Sequence, residues 1–172
     1  MKIKLNNVRL SFPSLFKKAQ FQGQETKFEA TFLISKESQD DLIEKINIEI
    51  DNLLKAKFPN GKVPKSIKKT CFKDGDECDY DGYEGMMALK GSSNRRVTLI
   101  DRNKTPLAEE DGKLYAGCYV NAILEVWFSD HPLGGKQVLA NLLGVQFAKE
   151  GESFGSAPSD VTDDFDELED EF

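Results

Sequence analysis

Apolar and polar residues alternate with a period of two over Phe28–Ile34. Phe28, Ala30, Phe32 and Ile34 interleave there with Lys27, Glu29 and Thr31, the signature of a half-buried strand. The same pattern runs longer over Cys118–Phe128. Val120, Ala122, Leu124, Val126 and Phe128 share a core-facing side, and Tyr119, Asn121, Ile123, Glu125 and Trp127 share the other. Between these two stretches the period lengthens: Leu42, Ile43, Ile46, Ile50, Leu53 and Leu54 recur at helical spacing. The spacing predicts one long helix over about 38–57, with Ser35 or Ser38 as its cap. Ser38 and Asp41 resemble a capping box, and Phe58-Pro59-Asn60-Gly61 ends the helix. Ile3–Phe12 reads as a first strand stopped by Pro13. Met86–Lys90 and Val97–Ile100 read as short strands around a turn at 91–96. Val138–Phe147 pairs with Cys118–Phe128 through a turn at 130–135 that contains Pro and two Gly.

The segments between are polar: a connection at 16–27 around Gly23, a basic stretch at 62–73 broken by Pro64, an acidic turn at 74–82 and a loop at 101–117. No internal repeat is visible. Short strands, one helix and long basic loops predict a mainly β fold, an OB-fold-like antiparallel barrel packed on the helix. A sandwich would share this periodicity.

Charge changes the picture. The net charge of -7 averages two opposite regions. Ten of the 30 acidic residues follow Lys149 and no base does, so residues 1–149 set 20 acids against 23 bases, a net of +3. The expected organisation is therefore a mildly basic OB-fold-like domain over 1–149 and a disordered acidic tail over 150–172. Within the tail Phe165, Leu168 and Phe172, with Asp166 and Asp170 between them, are candidate partner-binding residues. No apolar run approaches the roughly 18–20 residues of a membrane span. The start of the chain lacks the apolar stretch of a signal peptide, and three cysteines fit a reducing compartment, so a cytoplasmic protein is expected.

Single-strand binders need cations that follow phosphates and aromatic faces on which bases stack. The basic segment offers Lys65, Lys68, Lys69 and Lys73 with Phe72 among them. Lys90, Arg95, Arg96 and Arg102 surround the short strands at 86–100 and could clamp phosphates or form a solvated tip. Tyr119 and Trp127, on the polar side of their strand, are stacking platforms unless that side packs under a loop or the helix. Metal chemistry is not expected. Cys71 and Cys78 are too widely spaced for a structural zinc pair, and a calcium loop counted from Asp74 places Cys78 and Asp79 where an acid or amide and a glycine are needed. Motifs for catalysis are lacking too, with no Gly-rich phosphate loop and a single histidine beside a proline. Neither enzyme activity nor a cofactor is expected.

Lys4–Phe16 (KLNNVRLSFPSLF), Tyr115–Ala122 (YAGCYVNA), the Asp74-Gly75-Asp76 and Gly82-Tyr83-Glu84-Gly85 elements and the acidic end closing on Phe172 resemble the phage-encoded single-stranded DNA-binding protein family. The resemblance spans nearly the whole chain. It implies an OB-fold, sequence-independent binding of single-stranded DNA in phage replication, recombination and repair, and a place in the host cell cytoplasm. It also implies contacts of the tail with replication proteins such as a polymerase or helicase, and a homodimer. Gly117 and Asn121 of the shared motifs read as structural, so the DNA-contact residues above rest on charge and strand alternation. The competing reading is a DNA-mimicking or adaptor protein whose acidic tail binds a basic partner. A magnesium-dependent nuclease built on the carboxylates at 74–81 is a third.

Overall fold

The computed structural model describes residues 2–80, 82–131 and 135–154. Five strands form its frame: β1 (Lys2–Ser14), β4 (Phe28–Ser35), β6 (Met86–Ser93), β8 (Tyr119–His131) and β9 (Gly135–Lys149). The intervening β2 (Gln20–Phe21) and β3 (Gln24–Glu25) make a small separate hairpin within the segment expected to be a plain connection. β1 pairs antiparallel with both β4 and β8, β4 with β6, and β8 with β9. The sheet closes where Ser92 of β6 meets Asn141 of β9 in parallel. Taken in chain order, the five strands stand around the barrel as first, second, third, fifth and fourth. This is the Greek-key barrel of the OB-fold, mainly β as the alternation predicts. Closure leaves no exposed edge along most of the circuit.

The alternation sorts the faces as expected. Val120, Ala122, Leu124 and Val126 of β8 point into the core with Ile3, Leu5, Phe32, Ile34, Leu89 and Leu142. Helix α1 (Asp40–Lys57) adds Ile46, Ile50 and Leu54 to the same core and packs on β8, β1 and β4. The expected serine cap does not form. Instead the Gln39 side chain accepts from the Ser35 amide at 3.1 Å and donates to the carbonyls of Asn6 and Asn7. A longer amide side chain thus ties the helix start to β1, while Asp40 and Asp41 supply negative charge to the first turn.

Three local expectations are corrected. Pro13 does not stop β1: it sits in a bulge, where Phe12 and Pro13 together oppose Ala30, and pairing resumes at Ser14–Glu29. A bulge is where a strand tolerates a residue with no amide to donate. The basic segment is not all loop, because β5 (Phe72–Asp74) pairs with β6. Nor do the short strands at 86–100 form a hairpin, since β7 (Thr98–Ile100) runs parallel to β9 at Gly144–Gln146. The 130–135 turn joins β8 and β9 as predicted, with Pro132, Leu133 and Gly134 outside the described residues.

Candidate nucleic-acid interface

β6 and β9 touch at Ser92–Asn141 and then diverge, and the basic segment fills the gap. The Lys68 amide donates to Lys136, its carbonyl accepts from Val138, and the Cys71 amide donates to Val138. On the other side Cys71 accepts from the Lys90 amide at 2.7 Å, and Phe72 pairs with Leu89. Residues 68–72 are therefore barrel wall. Phe72 faces inward at 6% exposure and packs in the core, so its ring is not a free stacking surface. Burial also pushes the neighbouring Cys71 thiol up to about 11, keeping it protonated at neutral pH. Lys68, Lys69 and Lys73 stay exposed.

Against this wall, the outer surface of β4 and β6 forms a channel. One part, about 360 Å³, is lined by Phe12, Thr31, Lys73, Tyr80, Tyr83 and Lys90 among others. A second hollow of about 260 Å³ shares Glu29, Thr70, Cys71 and Lys90 with it and continues to Thr26, Lys27 and Leu139. Oligonucleotides bind OB-folds on this second- and third-strand face, between the loop after the first strand and the loop before the last.

One end of the channel is aromatic. The β1 bulge turns Phe12 outward with a φ of 45°, and its ring meets Tyr80 edge-on at 4.9 Å. Tyr80 in turn lies 5.2 Å from Tyr83. Phe12 and Tyr80 are 55% and 57% exposed, whereas Tyr83 is 3% exposed and shares a 2.8 Å hydrogen bond with Ser11. Desolvation raises the Tyr83 pKa, and the Ser11 hydrogen bond works against that shift. Tyr83 is thus a protonated buttress behind two exposed rings. The basic component is Lys73, Lys27 and Lys90, the last with its ammonium 3.3 Å from Glu29.

The chain returns to this face after β9. The Phe154 amide donates to Ala116, and the Tyr115 hydroxyl donates to the Gly151 carbonyl at 2.7 Å. Arg9 donates to the carbonyls of Gly117 and Glu152 and lies 3.9 Å from the centre of the Phe154 ring. Two glycines make the passage possible. A Cβ on Gly117 would lie 2.2 Å from the Glu152 carbonyl oxygen, and one on Gly82 would lie 2.0 Å from the Phe154 ring. Both also hold positive φ, 112° and 83°, which favours glycine. Phe154 packs in one small cluster with Tyr83, Leu33 and Ala88, and Tyr83 and Ala88 also line the channel.

Of the residues read from sequence, Lys73 and Lys90 stand in the channel, and Lys68 and Lys69 belong to the wall beside it. Lys65 is exposed ahead of that wall, and Arg95 and Arg96 are exposed in the turn beyond Ser92 and Ser93. Arg102 lies on the β7–β9 side, where its carbonyl accepts from Gln146. Tyr119 and Trp127 do point away from the core. Tyr119 is half-buried beneath Arg9 and Lys149, the latter 4.7 Å from its ring centre, and neither aromatic lines the channel. Asn121 is structural, its Oδ1 accepting from the Asn7 amide in the first β1 bulge. The tail residues Phe165, Asp166, Leu168, Asp170 and Phe172 lie outside the described residues. Sequence reading missed Phe12, Tyr80 and Tyr83. The signal was present as two tyrosines three apart, but the surrounding aspartates made the segment look like a solvated turn.

A closed OB barrel with exposed rings and lysines in its second- and third-strand channel defines a nucleic-acid-binding class of protein. Comparison with known proteins gives the family. The chain matches, over residues 1–172, the family described as Enterobacter phage Enc34, ssDNA-binding protein, and it belongs to that family. The family is one of DNA-binding proteins and not of enzymes. Protein p50 of Acyrthosiphon pisum secondary endosymbiont phage 1 is 43% identical over 176 residues, covering 98% of this chain and 94% of its own. The single-stranded DNA-binding protein from bacteriophage Enc34, solved in complex with ssDNA, superposes with a TM-score of 0.76 at 29% identity, covering 90% of this chain and 89% of that one. The single-stranded DNA-binding protein gp2.5 encoded by bacteriophage T7 shares the fold, with a TM-score of 0.57 at 13% identity over 97% of this chain and 96% of its own. Among the described residues no helix is long and apolar enough to cross a membrane.

Proposed function

We propose that the chain binds single-stranded DNA without sequence preference in the β4–β6 channel. Bases stack on Phe12 and Tyr80, and phosphates follow Lys73, Lys90 and Lys27. The observation that carries this reading is the coincidence of two half-exposed rings and three lysines on the OB face used for oligonucleotides. A stacking ring reads every base alike and a lysine reads only charge, which is what sequence-independent binding needs. The solved complex of the Enc34 relative with ssDNA supports the same ligand.

In this reading residues 1–149 are the DNA-binding domain, and the acidic segment after it competes with DNA. Phe154 rests beside the channel, so the eight acids that follow it in the chain are tethered next to it. A short tether gives an effective concentration that can reach the millimolar range. DNA displaces the tail, and Phe165, Leu168 and Phe172 then become available to replication proteins of the polymerase or helicase kind. The protein serves phage replication, recombination and repair in the host cytoplasm, alone or as a homodimer.

The test is an anisotropy titration of the full chain and of a variant lacking residues 159–172, against single- and double-stranded DNA across salt. Single-strand affinity is expected to fall with salt at a log–log slope near -2, about 0.7 for each of the three channel lysines. The shortened chain is expected to bind more tightly at low salt. Unchanged or weaker binding by it contradicts tail competition. Absence of single-strand binding by both chains favours the DNA-mimic or adaptor reading instead.

A further inference from the structure

The loop that carries Tyr80 and Tyr83 is held at both ends by one residue that does not line the channel. Lys36, directly after β4, donates from Nζ to Asp74 Oδ1 at 2.5 Å and to Asp76 Oδ2 at 2.6 Å. Its backbone amide donates to the Gly85 carbonyl at 3.0 Å. Asp76 closes the ring, its second oxygen accepting from the Gly85 amide at 2.8 Å. Asp74 also accepts from the Asp76 amide and so starts the short turn at Gly75–Glu77. Gly75 lies beneath the loop, where a Cβ would approach the Tyr83 and Met86 carbonyl oxygens to 2.3 and 2.5 Å.

Side chains this exposed, 34% for Lys36 and 39% and 48% for its partners, contribute little to global stability as an ion triad. What the triad does is geometric. Two carboxylates two residues apart repel each other, and a single ammonium between them lets the loop close. Closure sets Tyr80 against Phe12 and Tyr83 against Ser11.

We propose that Lys36, acting through Asp74 and Asp76, is a positioning residue for DNA binding, which holds the tyrosine wall in stacking geometry without touching nucleic acid. The proposal rests on the channel being the DNA site. It makes a prediction opposite in sign to simple electrostatics. Asp76→Asn removes a negative charge near a polyanion, so charge alone would strengthen binding, whereas loss of the clamp weakens it.

The experiment is an anisotropy titration with a fluorescent oligothymidine for Asp76→Asn, Asp74→Asn, Lys36→Met and Lys36→Arg, with folding checked by circular dichroism. Both Asn variants and Lys36→Met are expected to bind about fivefold more weakly, because the stacking ring is displaced rather than removed. Lys36→Arg is expected to retain most of the affinity. The salt slope of Lys36→Met should match wild type, because a lost phosphate contact would reduce it by about 0.7. In a Tyr80→Ala background, Asp76→Asn should cost less than about twofold, since the ring it positions is gone. Tighter binding by either Asn variant, a reduced slope for Lys36→Met, or full additivity with Tyr80→Ala overturns the proposal. Wild-type affinity in Tyr80→Ala itself would instead refute the channel as the DNA site.

Discussion

Phe12 combines two unusual properties: a bulky ring more than half exposed and a φ of 45°. A left-handed conformation costs a non-glycine residue about 1–2 kcal/mol, and an exposed ring recovers little of that through burial. Strain held at an exposed aromatic fits a ligand-facing role. Two substitutions separate the contributions. Phe12→Ala and Phe12→Gly both remove the ring and are expected to weaken single-strand binding by about 1–3 kcal/mol. Phe12→Gly is expected to melt at a higher temperature than Phe12→Ala, by the equivalent of about 1 kcal/mol, because glycine accepts the positive φ. Calorimetry beside the titration checks both. None of this was legible from Phe12 alone: a phenylalanine before a proline reads as the end of a strand. Only the partner strand, two residues facing one, shows that the chain bulges there. The exposure of Lys73 and Lys90, by contrast, was legible, because lysines remain at the surface wherever the backbone places them.

At the scale of elements, the period-two alternation assigned the inward faces of β4 and β8, and the 3.6-residue period assigned α1. These are local properties of each segment. Which strands are neighbours is not local. The β6–β9 closure depends on Gly91, whose missing side chain leaves room for Leu124 and Leu142: a Cβ there would lie 2.6 Å from a Leu124 methyl and 3.1 Å from the Leu142 Cβ. Gly91→Ala is expected to lower stability by about 1–3 kcal/mol through overpacking, read as a shift in the urea midpoint. Sequence reading took Gly91 as the first residue of a turn, since a glycine beside two serines carries the same signal in either setting. Likewise β5 spans three residues, too few to show any period. The tyrosine loop escaped notice for a related reason. Its aspartates look solvated until Lys36, far back in the chain, is seen between them.

For the whole molecule, charge sets the balance. A body of net +3 is joined after Lys149 to a segment that carries ten acids and no base, and Phe154 of that segment packs beside the channel. The overall acidity therefore does not oppose a polyanionic ligand, and in the proposed function it is the competitor, with an effect that fades as salt screens it. The charge split was visible in sequence. Where the segment begins relative to the channel was not, because that depends on Gly82 and Gly117 leaving space for the returning chain. The central claim is that DNA lies in the β4–β6 channel rather than on the outer face of β8 that carries Trp127. The most direct measurement is the single-strand affinity of Phe12→Ala/Tyr80→Ala set against that of Trp127→Ala, in the same low-salt titration. The channel variant is expected to lose at least about thirtyfold, the lower bound of two stacked bases at roughly 1 kcal/mol each, while Trp127→Ala stays within about twofold of wild type. A large loss in Trp127→Ala with the channel variant unaffected would contradict the account.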